Sequence, residues 1–93
     1  MKRPLIFSGT TEGRQLSEKL TASGIAHIVC VATEYGGLVM DPSEYADVRT
    51  GRMTALEMYD LMKFEADKVF DATHPYAADV SHNIHTACLA ADM

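Results

Sequence analysis

Asp71-Ala72-Thr73-His74-Pro75-Tyr76 gathers a carboxylate, a hydroxyl, an imidazole and a phenol within a short stretch. These side chains offer donors, acceptors and one group of the kind that titrates near neutral pH, enough to orient a polar ligand. A plainer reading has Asp71 and Thr73 capping a helix and His74 decorating a loop. A second stretch is Ser8-Gly9-Thr10-Thr11-Glu12-Gly13. A glycine at such a turn lets a phosphate approach the backbone, and a following helix presents free N–H groups and a positive dipole end. Threonine hydroxyls add hydrogen bonds. The stretch is neither a full G-x-G-x-x-G nor a P-loop, because only Gly13 follows Gly9 and no Lys-Ser or Lys-Thr does. An ordinary strand-to-helix turn, with Gly13 allowing close packing, is the alternative. Arg49-Thr50-Gly51-Arg52 is a small basic cluster that suits a phosphate or a carboxylate, or else a solvated loop. His82 and His85 stand three apart on a predicted helix, a spacing that can bind metal. With His74 they lack a completing cysteine or carboxylate, so surface histidines and no metal are expected. No Ser-His-Asp or Cys-His nucleophile arrangement is evident.

These residues need elements to position them. Leu5-Ile6-Phe7 is a short apolar run ending at Ser8-Gly9, which predicts a strand that stops at a turn. From Thr11 onward Gly13, Leu16 and Leu20 fall on one helical face, and Ser23-Gly24 supplies the stop. Ile25 to Ala32 is nearly all apolar and rich in β-branched residues, which predicts a strand covered on both faces. Thr33 to Pro42 reads as a glycine-containing connection with bridging residues around Leu38-Val39-Met40, and Tyr45 to Arg49 as a short third strand. Thr54 and Glu57 have the spacing of a capping box at the head of a helix running to about Glu65. Lys68 to Asp71 is a fourth strand. A last helix carries Ala77, Val80, Ile84, Ala87, Cys88 and Ala91 at helical spacing, with Pro75 in its first turn.

Strands alternating with helices predict an α/β fold: a parallel sheet of about four strands with helices on both faces. Right-handed crossovers favour the order 3-2-1-4, the first half of a doubly wound, Rossmann-like domain. In that order the two polar stretches meet at the carboxyl ends of strands one and four. This is the topological switch point, where open sheets of this kind bind ligands. The fourth strand has a bare edge, which favours self-association or a partner that completes the sheet.

Bulk properties narrow the function classes. Ninety-three residues allow one small domain. With 47% apolar and 23% charged residues the chain is globular rather than disordered. Eight basic against thirteen acidic residues, a net charge of −5, argue against duplex nucleic acid or an anionic membrane as the main partner. The longest apolar run, Ile28 to Ala32, is too short to span a bilayer, and Met1-Lys2-Arg3-Pro4 opens no signal-peptide core. Cys30 and Cys88 sit in apolar contexts without C-x-x-C spacing, the expectation for reduced, buried residues of a cytoplasmic protein. Met53, Met58 and Met62 read as core filler.

Four stretches taken in order, SGTTEGRQLSEKL, VATEYGG, VRTGRM and DATHPYAADVSHNIHTAC, resemble the N-terminal half of precorrin-6A reductases. The last is the most specific: D-A-T-H-P-Y-A, then Ser81, Asn83 and Ala87-Cys88. The resemblance implies a Rossmann-like oxidoreductase of cobalamin (vitamin B12) biosynthesis. Such enzymes use NADPH or NADH to reduce one double bond of a corrinoid macrocycle, precorrin-6A or cobalt-precorrin-6A; the V-A-T-E-Y-G wording is closer to the cobalt branch. It further implies that Gly9, Thr10, Thr11 and Glu12 hold the cofactor pyrophosphate, with Thr73 beside it, and that Thr33 and Tyr35-Gly36 lie near the adenosine ribose. Glu34 would accept ribose hydroxyls and repel a 2′-phosphate, an argument for NADH. Arg52, His74, Pro75 and Tyr76 would meet the substrate, with His74 and Tyr76 the catalytic candidates and His74 a polar contact or proton relay. Ser8 departs from the glycine usual there, which narrows the approach to the phosphates.

Family chains are well over twice as long. Residues 1–93 are therefore expected to form an N-terminal nucleotide-binding domain, short of a second domain and inactive alone. The competing reading is a non-catalytic nucleotide- or phosphate-binding module that completes its sheet with a partner, a homo-dimer through the bare edge included. A receiver-like domain would need paired acidic residues at the end of strand one, which are missing. A flavodoxin-like loop is only partly met by Ser8-Gly9-Thr10-Thr11.

Overall fold

The computed structural model describes residues 2–32 and 43–93. Its elements are β1 (Arg3–Ser8), α1 (Thr11–Ala22), β2 (His27–Val31), β3 (Ala46–Thr50), α2 (Ala55–Glu65), β4 (Ala66–Ala72) and α3 (Ala78–Ala90). The four strands form one parallel sheet in the order β3-β2-β1-β4, as the crossover rule predicts. The expected bridge around 38–40 lies outside the described residues.

Side chains alternate across the pleat, so each central strand feeds two cores. Leu5, Phe7, Ile28 and Cys30 pack against Met58, Leu61 and Met62 of α2 and Ile84 and Ala87 of α3. Ile6, Val29 and Val31 point the other way, where Leu16 and Leu20 of α1 cover them. Helices therefore lie on both faces, and every residue of β2 is buried. Met58 and Met62 are core residues and Met53 packs at the margin. Cys30 is buried, but Cys88 is only half-buried, its thiol against the Met62 sulfur at 3.7 Å.

Local signals set the element ends. The Thr54 hydroxyl accepts from the Glu57 N–H at 3.1 Å, and the Glu57 carboxylate accepts from the Thr54 N–H at 2.9 Å, so the capping box is complete. Helix α1 closes in a Schellman motif: Gly24 N–H donates to the Thr21 carbonyl at 3.0 Å and Ile25 N–H to the Leu20 carbonyl at 2.9 Å. Gly24 takes the left-handed φ of 69° that this stop requires. That closure uses Ile25, so β2 starts at His27 and not at Ile25. Strand β4 is longer than its apolar centre, because α2 passes directly into it at Ala66. Pro75 is not in the first turn of the last helix. It occupies the second position of a turn closed by Ala77 N–H on the His74 carbonyl at 2.8 Å, a site that suits its fixed φ, and α3 begins at Ala78.

At the foot of the sheet two arginines and two carboxylates interlock. Arg49 makes a two-pronged contact with Glu65 (3.0 Å on each prong) and reaches Asp47 at 2.9 Å. Arg3 bridges the same two carboxylates at 3.1 and 3.3 Å. The group ties β1, β3 and the end of α2 together. Among the described residues β4 pairs with β1 alone, and Asp67, Lys68, Phe70 and Asp71 are exposed along it.

Candidate functional site

The strand register brings two turns together. Phe7 lies beside Asp71 and Ser8 beside Ala72, so the segment after β1 and the segment after β4 leave the sheet as neighbours. Gly9 N–H at 3.1 Å and the Thr10 hydroxyl at 2.8 Å both donate to the Ala72 carbonyl. Because the Thr10 hydroxyl is turned to Ala72, it makes no cap on α1. The first N–H groups of that helix therefore keep their donors, beside exposed Thr11 and Glu12. A Cβ on Gly9 would lie 3.4 Å from the His74 nitrogen and 3.5 Å from the Thr73 Cα, so the two turns touch backbone to backbone. Gly13 is buried, and a Cβ there would collide with the Ser8 hydroxyl and sit 3.1 Å from the Ala72 Cβ. The side chain of Ser8 is thus packed beneath the helix.

The turn after β4 is held by its own side chains. The Asp71 carboxylate accepts from the Thr73 hydroxyl at 2.6 Å and from the Thr73 N–H at 3.0 Å. The Thr73 and Ser81 hydroxyls stand 3.2 Å apart. Burial pushes the Asp71 carboxyl up, but the hydrogen bonds from Thr73 and Ser81 outweigh it and hold it below the usual aspartate range. Asp71 and Thr73 therefore brace the loop and do not cap α3, whose N-cap is Ala77. His74 and Tyr76 are exposed with ring centroids 5.0 Å apart, and the Tyr76 N–H donates to His74 Nδ1 at 3.1 Å.

The structure brings Gly9, Thr10, Thr11, Glu12, Thr73, His74, Pro75 and Tyr76 to one end of the sheet. Arg52 is also beyond a strand end, exposed after β3. Three strand spacings, about 14 Å, separate the ends of β3 and β4. Its neighbour Arg49 is committed to Glu65 and Asp47 and is not an anion site. His82 and His85 are exposed on α3. Thr33, Glu34, Tyr35 and Gly36 lie outside the described residues. One residue that pattern reading passed over is His27, which is fully buried. Its Nδ1–H donates to the Ile25 carbonyl at 2.8 Å, and its Nε2 accepts from the Ser17 hydroxyl at 2.7 Å. A histidine in register with Val29 and Val31 on the inward side of β2 was the available signal. Burial pushes the Cys30 thiol up to about 11, only partly offset by Arg49. It is a core group rather than a nucleophile.

The family model described as Precorrin-6x reductase CbiJ/CobK matches residues 3–93. The cobalt-precorrin-6A reductase of Salmonella typhimurium is 36% identical over 85 residues, 90% of this chain and 32% of that protein. The precorrin-6A reductase of Rhodobacter capsulatus is 34% identical over 88 residues, 95% of this chain and 35% of that protein. A cobalt-precorrin-6A reductase of Methanothermobacter thermautotrophicus is 28% identical over 86 residues, 90% of this chain and 28% of that protein. The chain spans about a third of the length of these relatives. No solved structure gives a significant match.

Proposed function

The chain belongs to the Precorrin-6x reductase CbiJ/CobK family, and from that membership we propose that it forms the nucleotide-binding domain of an oxidoreductase of cobalamin biosynthesis. The substrate is a corrinoid, precorrin-6A or cobalt-precorrin-6A, and the reductant is NADPH or NADH. The observation that carries this reading is the meeting of the ends of β1 and β4 at the switch point of the sheet. There a bare Gly9 faces the Thr73–His74 backbone next to an α1 N-terminus without a side-chain cap. That donor set fits a pyrophosphate: unpaired N–H groups at a helix start, a glycine that admits close approach, and the Thr11 hydroxyl at the rim.

The nicotinamide supplies the hydride when bound. The chain's own residues bind and orient. Gly9 and the first turn of α1 hold the phosphates. Thr73 sets the wall opposite them. His74 and Tyr76 stand exposed on the same side, where they can meet the substrate and hold a proton at an imidazole nitrogen. Arg52, set apart at the end of β3, fits an outlying acidic group of a broad substrate rather than the cofactor. Because the chain corresponds to about a third of its relatives, the remainder of such a protein is taken to close the site from the other side.

Calorimetric titration with NADPH and NADH tests the reading and ranks the two nucleotides. One of them should bind. Gly9→Val should abolish binding, because its Cβ already comes into van der Waals contact with the His74 nitrogen and the Thr73 Cα, and its two methyl groups must then crowd the junction of the turns. No corrinoid reduction is expected from the 93 residues alone. Absence of nucleotide binding, or a Gly9→Val variant that binds as well as the parent, would remove the cofactor from this site.

A further inference from the structure

We propose that Asp71, acting through Thr73 and Ser81, is a positioning residue that holds His74 with its ring hydrogen on Nε2, so that the site offers a ligand oxygen an imidazole donor. The inference starts from the accounting of hydrogens. Thr73 has one hydroxyl hydrogen, and it is given to Asp71 Oδ1 at 2.6 Å. The Thr73 oxygen can therefore only accept, and the Ser81 hydroxyl 3.2 Å away has one hydrogen to share between it and the Asp71 carboxylate. With the Thr73 N–H also on Asp71 Oδ1 at 3.0 Å, one carboxylate oxygen fixes the residue that precedes His74 and ties it to α3.

His74 is then held from the other side. Its carbonyl closes the turn with Ala77 N–H at 2.8 Å, and its Nδ1 accepts the Tyr76 N–H at 3.1 Å. A ring nitrogen that accepts an N–H carries no hydrogen of its own, so the neutral imidazole keeps its hydrogen on Nε2. His74 and Tyr76 are both exposed, so this donor is open to a ligand. A carboxylate or carbonyl oxygen fits it; a ligand donor does not. That a ligand arrives here rests on the function proposed above, whereas the tautomer and its support rest on the loop itself.

Long-range ¹H–¹⁵N correlation spectra of the histidine rings in the 93-residue chain test this directly. His74 should show the Nε2–H pattern, and His27, whose Nδ1 donates to the Ile25 carbonyl, the opposite one as an internal reference. Asp71→Ala should replace the single His74 tautomer by a mixture, and Ser81→Ala should do so in part. Asp71→Asn, which keeps the Oδ1 acceptor, should restore the parent pattern, a rescue expected if the residue acts by accepting from Thr73 and not by its negative charge. Unchanged methyl signals from Ile28 and Ile84 report that each variant is folded. An Nδ1–H pattern at His74 in the parent chain, or a folded Asp71→Ala variant with the tautomer intact, overturns the proposal. Nucleotide binding does not enter these spectra, so failure of the functional reading is seen separately in the titration.

Discussion

At the scale of single residues the site depends on two glycines used in different ways. Gly9 lets two turns come together backbone to backbone, and Gly13 lets α1 settle onto the sheet with the Ser8 side chain under it. A methyl group at position 13 has nowhere to go while Ser8 is present. Gly13→Ala should therefore destabilise by about 1–3 kcal/mol, the usual cost of overpacking. Ser8→Gly should return most of that loss in the double variant, since only the Ala72 Cβ then remains close. Urea unfolding of the four members of this cycle checks the coupling, and additive losses would refute it. The need for a small residue at 13 was legible from its place in the helical pattern. Its partner was not, because which side chain lies below a helix is decided by the strand it crosses. The same holds for Asp71 and Thr73, whose types announced polar chemistry but whose hydrogen bonds required the loop to be built.

At the scale of elements, ends written by short-range chemistry were readable and ends written by neighbours were not. The capping box at Thr54 and the Ser23-Gly24 stop are local, and both occur where their residues stand. The length of β4 follows from its pairing with β1 from Arg3 to Ser8, which no single window contains. Arg49 shows the same limit: beside Arg52 in sequence it looks available for an anion, and in space two carboxylates hold it. Those carboxylates give the fold a pH dependence with a definite sign. Hydrogen bonds from Arg49 first, and then the charges of Arg49 and Arg3, hold Asp47 and Glu65 below the usual range despite burial that pushes them up. The folded state thus releases protons that the unfolded state still binds. Their contribution is complete above the unfolded carboxylate range near about pH 4 and is lost as pH falls through the lowered folded values. Both groups are more than a third exposed, so the contribution is modest. Arg49→Gln should cost about 1 kcal/mol or less at neutral pH and flatten the acid limb. A stability difference from the parent that stays constant between about pH 3 and pH 7 would contradict the electrostatic origin.

At the scale of the whole molecule the exposed edge of β4 stands out. Phe70 remains 38% exposed on the face that α1 only partly covers, and the strand's outer backbone groups have no partner among the described residues. Such an edge pairs with another strand when one is supplied. For the chain by itself we expect weak, concentration-dependent self-association, visible as a rising weight-average mass in sedimentation equilibrium. Phe70→Lys should suppress it by placing a charge on that edge. A single monomer mass across about a hundredfold range of concentration would remove this expectation.

By itself the sequence determined the class of each element, the parallel order β3-β2-β1-β4 and the two stretches that meet at its switch point. Hydrophobic period and crossover handedness are strong constraints, and four motifs in order identified the family before any contact was known. The tertiary structure alone decided what those residues do with one another. It turned the Thr10 hydroxyl to Ala72 and away from α1, set Ser8 beneath Gly13, and buried His27 against Ser17. The reason is geometric. A periodicity reports which face a side chain takes, whereas a hydrogen bond needs a partner at about 3 Å, and which partner comes that close depends on how the elements pack, whether it stands ten positions away like Ser17 from His27 or 62 like Thr10 from Ala72.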